Sequence, residues 1–189
     1  MIPTKWIPLA LFLLLVPFSA ARADEYDTTI NVFRNAGESG GFFSSAVGYA
    51  VFPTIGKGGL GIGGAHGSGR IYKHGKHVGD TSMTQITIGF QLGGQAFSQI
   101  IFFQDDRAFR EFTSGNFEFG AQAQAVGITA GASAAATTTG ASTTTSTSTE
   151  NAKTSSAGYH KGMAIFTVAK GGLMYEASVG GQKFSYKPR

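Results

Sequence analysis

No cysteine occurs among the 189 residues. That excludes disulfides and lipid attachment through a thiol, so the folded chain must be held by its apolar core. A strong charge of one sign is lacking as well. Fifteen Lys and Arg stand against 11 Asp and Glu, which gives no concentrated basic face of the kind nucleic acid requires. A membrane-spanning run is also missing. The apolar stretch from Ile7 to Val16 is interrupted by Pro8 and falls well short of the roughly 20 residues a spanning helix needs.

What the N-terminus does contain is "MIPTKWIPLALFLLLVPFSAARA", with Lys5 in its basic start and small residues at Ala21 and Ala23. This three-part pattern predicts a secretory signal peptide over residues 1–23, cleaved after Ala23, and hence a periplasmic or secreted protein. Its removal would take away Lys5 and Arg22 and no acidic residue, lowering the formal charge from +4 to about +2. Residues 24–189 then form one domain.

Glycine is abundant, at 28 of 189 residues against a norm of about 7%. Without a collagen period, this points to many strands, tight turns and bulges. "DEYDTTINVFRNA" reads as a short helix over 24–36 with Tyr26, Ile30 and Phe33 on one face, an acidic first turn and Gly37 as its stop. "ITIGFQL" alternates, placing Ile86, Ile88, Phe90 and Leu92 on one face of a half-buried strand. Gly93-Gly94 and "QAFSQIIFF" follow, so a hairpin is expected. "DDRAFREFTSG" predicts a second helix capped at Asp105 or Asp106, with Phe109 and Phe112 inward and Gly115 ending it. In "FEFGAQAQA" Phe117, Phe119, Ala121 and Ala123 share a face, and the small side chains imply something packed close against it. Residues 137–149 hold eleven Ser or Thr, so a flexible Ala/Ser/Thr-rich insertion is expected at about 133–157.

"AVFPTIGKGGL" at 50–60 returns as "AIFTVAKGGL" at 164–173, once Pro53 is allowed as an insertion. Two copies are too few for a solenoid and predict two similar strand-turn-strand units, with Lys57 and Lys170 equivalent. The expected fold is mainly β within the α+β class: a twisted antiparallel sheet closing towards a barrel or sandwich, with a short N-terminal helix and one short central helix.

Chemical motifs fail in context. Gly59, Gly61 and Gly64 make a formal G-x-G-x-x-G, but "AHGSGRIYKHGKHVGD" after it has no helical period, so no helix dipole is available for a pyrophosphate. Neither G-x-x-x-x-G-K-[ST] nor a G-x-S-x-G elbow occurs. His74, His77 and Asp80 fall on a strand and turn, where residues three apart point to opposite faces. No catalytic residue, nucleotide, metal or cofactor is therefore expected. The basic residues Lys57, Arg70, Lys73, Lys76 and Lys170 lie in or near the glycine-rich hairpins and could meet anionic head groups, with Phe42 and Phe43 as acyl contacts. Solubilising, edge-protecting lysines are the plainer account of the same residues.

"GYAVFPTIGKGGLGIGGAHGSGRIY", "TQITIGFQLGGQAFSQIIFF", "FTSGNFEFGAQA" and "GLMYEASVGGQKFSY" resemble, in order, the SYLF-domain family, over about Ile30 to Tyr186. The resemblance implies a β-rich, lipid-binding module without known catalysis, whose partner is a phospholipid or membrane surface. Eukaryotic members use a basic amphipathic N-terminal segment, whereas residues 24–36 here have only Arg34 against Asp24, Glu25 and Asp27. The alternative is a structural or protein-interaction domain of the periplasm or cell surface, with an envelope protein as partner.

Overall fold

The structure, a computed structural model, describes residues 19–89, 94–121, 123, 125–128, 158–170 and 179–189. Helix α1 (Ser19–Asn35) leads through the single turn α2 (Phe42–Ser45) into strand β1 (Gly48–Lys73). Strands β2 (Lys76–Gly89) and β3 (Gln95–Phe103), helix α3 (Asp106–Phe112), and strands β4 (Phe117–Glu118), β5 (Val126–Ile128), β6 (Met163–Lys170) and β7 (Lys183–Pro188) follow. The bonded order is β4-β7-β2-β1-β3-β6-β5, with β5–β6 the parallel pair among antiparallel ones. The molecule is mainly β, as expected: a curled half-barrel with an N-terminal helix and a short central one. Most of the expected signal segment, the Ser/Thr-rich insertion, Phe90 and Leu92 lie outside the described residues.

The glycine-rich sequence makes β1 double back. Gly59 has φ +144°, a conformation that glycine alone adopts without strain. Beyond it the second arm, 61–73, lies close against the first, 48–57. A Cβ on Gly67 would meet Thr54 O at 2.8 Å, and one on Gly69 would meet Val51 O at 2.8 Å. The amide of His74 donates to Val47 O at 3.1 Å where the arms end. Counting the arms separately, eight strand segments make the curl among the described residues.

The second arm pairs with β2 through the hairpin expected around "KHGK", from Gly61–Gly89 to Lys73–Lys76. His74 and Gly75 close it with φ 48° and 76°, the two-residue turn whose twist suits antiparallel strands. The first arm pairs with β3. The expected β2–β3 hairpin is therefore absent: β1 stands between the two strands and takes one edge of each. The alternation around Ile86 also reads in the opposite sense, because Gln85 is buried while Ile86 is 77% exposed.

The two sequence copies flank β3, Val51 and Phe166 both opposite Ile100. They are thus offset by one residue, so equivalent side chains point to opposite faces. Pro53 enters at a bulge, where Pro53 and Thr54 oppose Ser98 and the Ser98 hydroxyl donates to Pro53 O at 2.7 Å. A bulge is where a strand can hold proline, since no ladder donor is lost.

The two faces bury separate cores. The concave face gathers Phe52, Ile55, Ile71, Met83, Ile101, Phe103, Phe112 and Phe184. The convex face, made by β1, β3 and β6, is covered by α1 through Ile30 and Phe33, which meet Val51, Ile100, Phe102 and Phe166. The helical face of Ile30 and Phe33 is thus as expected, but α1 begins at Ser19, so Asp24 and Glu25 are not its first turn. On α3 the Asp105 carboxylate accepts from the Ala108 amide at 2.8 Å, the cap expected there, and Phe112 is fully buried.

Candidate functional site

The β1–β2 hairpin, α2 and the start of α3 meet at one end of the sheet. Phe42 packs on Phe102, Phe166 and Tyr159 at centroid distances of 5.1–5.5 Å. Phe43 meets Phe102 at 4.9 Å and Tyr49 at 5.2 Å, with the Arg34 guanidinium 4.9 Å above its ring. Tyr49 stacks on Tyr72 at 5.1 Å, and Tyr72 leads to His77 at 5.5 Å. An aromatic surface thus runs from α2 to the hairpin, with cations beside it.

Arg70 lies 4.1 Å over Tyr26 of α1. Lys73 pairs with Asp106 at 2.7 Å and sits 4.7 Å over Phe109, while Lys76 at the turn is exposed. Burial holds the Tyr26 and Tyr49 phenols above their usual range, Arg70 partly opposing the effect at Tyr26. The hydrogen bond and charge of Lys73 hold Asp106 below the usual carboxylate range.

His77 and Asp80 share a face after all, with Nε2 to Oδ1 at 3.0 Å. The register slips between Ile71 and Tyr72, which leaves Val78 unpaired and turns His77 to the side of Asp80. Arg189 Nη1 donates to His77 Nδ1 at 2.8 Å, so in the neutral ring Nε2 carries the proton donated to Asp80. Sequence reasoning passed over Arg189, Tyr49 and Tyr72; the wide spacing of the two tyrosines hides their stacking until β1 folds back.

Five of the seven predicted residues therefore gather at this end: Phe42, Phe43, Arg70, Lys73 and Lys76. The other two do not join them. Lys57 lies nine residues from Gly48 along β1 and Lys170 seven residues from Met163 along β6, towards the opposite end of these strands. Their expected equivalence is also lost, because Lys57 faces Gln95 and Lys170 faces Ala96 across β3. Lys170 turns towards α1, donating to Thr54 Oγ1 at 2.7 Å and pairing with Glu25 at 3.4 Å, while Thr54 donates to Glu25 at 2.8 Å. That triad fastens α1 to β1 and β6. Lys57 is half-buried on the other face.

A second feature lies where the half-barrel stays open. Between β4 and β6 is a cleft of about 510 Å³, walled by Phe117, Phe119, Ala123, Val126, Met163 and Ile165, with Glu111, Glu118, His160 and Lys161 among its polar lining. Ile62 and Ile86 form a third feature, 73% and 77% exposed on one face of the β1–β2 ribbon.

Among known protein families, the Ysc84 model, described as "Las17-binding protein actin regulator", matches residues 84–187. No curated protein matches the chain.

Proposed function

The chain belongs to the Ysc84 family of SYLF domains, generally lipid-binding modules without catalysis, and from that premise we propose that it is a non-catalytic membrane-binding module of the cell envelope. In this reading the α2–hairpin end meets anionic phospholipid head groups through Arg70, Lys73, Lys76 and Arg189, with Phe43 reaching towards the acyl boundary. The observation that carries it is the continuous surface Phe43–Tyr49–Tyr72–His77 with cations along it. Rings with an apolar body and a polar tip suit a membrane interface, and basic side chains add attraction to anionic lipid. Export rests on residues 1–23, and a protein outside the cytoplasm would meet lipid rather than actin.

Cosedimentation of residues 24–189 with vesicles tests this reading. Binding to phosphatidylglycerol vesicles at low salt is expected, with Lys76→Glu lowering affinity at least about fivefold. Failure to bind both anionic and neutral vesicles would sink it.

Ile62 and Ile86 favour a second reading, a protein-interaction domain without lipid specificity, since two exposed isoleucines, diagonal neighbours on one sheet face, suit a partner surface. Under that reading Ile62→Ser with Ile86→Ser abolishes capture of an envelope partner, and Lys76→Glu does not.

A further inference from the structure

The shared strand face expected for Phe117, Phe119, Ala121 and Ala123 is not kept, because β4 ends at Glu118 and the chain turns there, the Ala123 amide donating to Gly120 O at 3.0 Å and Ala121 lying exposed. In the fold, Phe119 enters the core at 7% exposure, while Ala123 and Ala125 stay half-exposed and line the open cleft. Hydrogen bonds from Phe119 N to Gln182 O and from Val179 N to Ala123 O hold this wall in place. Its small side chains leave space that the inner core does not fill.

We propose that this cleft binds one long acyl chain with an anionic end. Its volume of about 510 Å³ lies within the roughly 300–1,000 Å³ of small-ligand sites. Its buried walls are Phe119, Met163 and Ile165, with Phe117, Ala123 and Val126 beside them, and its polar residues Glu111, Glu118, His160 and Lys161 are exposed at the rim, so a polar group lodged inside would go unpaired and be disfavoured. The occupant is therefore apolar along its length. The charge at its end follows from the rim. Glu111 is held by Arg107 at 3.0 Å and Glu118 by Lys183 at 3.5 Å. Lys161 lines the same cleft and takes part in no ion pair among the described residues. Its backbone is set at φ 50° beside Gly162, and its carbonyl accepts from Arg107 at 3.2 Å. A carboxylate or phosphate placed at this rim would meet the Lys161 ammonium.

The inference rests on the lipid-binding reading but uses a different surface, so the two fail separately. Displacement of a fluorescent polyene fatty acid, below its critical micelle concentration, measures the cleft. Saturated fatty acids of 8 to 18 carbons should compete with affinity rising about fourfold per added methylene, then levelling once the cleft is full. A lysophosphatidylglycerol arm separates a lipid-borne chain from a free fatty acid. Ala123→Trp should weaken probe binding at least tenfold while vesicle cosedimentation persists. Ala121→Trp at the exposed mouth does the same if the first variant does not fold. Lys161→Gln should weaken fatty acids but not the matching alcohols. No probe binding to the wild type, or binding that climbs with chain length without a plateau and ignores both tryptophans, overturns the proposal. Loss of vesicle binding with the cleft still saturable would overturn only the membrane reading.

Discussion

At the scale of single residues, glycine in β1 has two distinct jobs that composition alone does not separate. A Cβ on Gly69 would lie 2.6 Å from the Phe52 ring and 2.8 Å from Val51 O, whereas one on Gly56 would meet nothing within 4 Å. Phe52 is fully buried and has no free space to retreat into. Gly69→Ala is therefore expected to cost about 1–3 kcal/mol, as overpacking does. Gly56→Ala, at an exposed position, should be near neutral, and urea melts of the pair check the contrast. Asp106 gives a second residue-scale prediction. Lys73 lowers its pKa in the folded state, so the pair stabilises above the unfolded carboxylate range, about pH 4. That contribution disappears as pH falls through the lowered value. The difference in Tm between wild type and Asp106→Asn should be small but positive near neutrality, weaken in high salt and vanish in acid.

At the scale of elements, local periods were legible and long-range partners were not. The spacing of Ile30 and Phe33 places both on the buried side of α1 whatever lies beneath, and Asp105 caps α3 through its own first turn. The "KHGK" turn likewise carries its geometry in two residues. The pairing of β2 with β3 did not follow from adjacency, because doubled β1 offers an edge to each. Nor could Lys57 and Lys170 be told apart by their shared motif, since a one-residue offset across β3 reverses the face. A buried amide pair joins elements that no local pattern links: Gln99 and Gln182 exchange bonds of 2.9 and 3.1 Å, and both are fully buried. Gln182→Leu should cost about 1–3 kcal/mol by leaving the Gln99 amide unpaired. Adding Gln99→Leu should recover part of that loss. A double-mutant cycle from denaturant melts reads the coupling; strict additivity would refute it.

For the whole molecule, the fold separates its surfaces. Aromatic and basic side chains collect at the α2–hairpin end, Lys57 and Lys170 lie at the far end of the strands, and the cleft opens between β4 and β6. Membrane binding through one end should therefore be polar. Lys57→Glu is expected to leave anionic-vesicle affinity within about twofold, while Lys76→Glu lowers it and the remaining affinity falls with salt. Equal losses from the two variants in cosedimentation would show that binding is not confined to one end. The sequence by itself determined the β-rich class, the Asp105 cap of α3, the buried faces of α1 and α3, the tight hairpin and the family resemblance, because each resides in periods and turns a few residues long. Only the tertiary structure decided which cations share a surface, which face each copy of the repeat presents, and that the alanines of "GAQAQA" border open space. Those properties depend on strand register and on the doubling of β1, and a single-residue shift in register exchanges the inside for the outside.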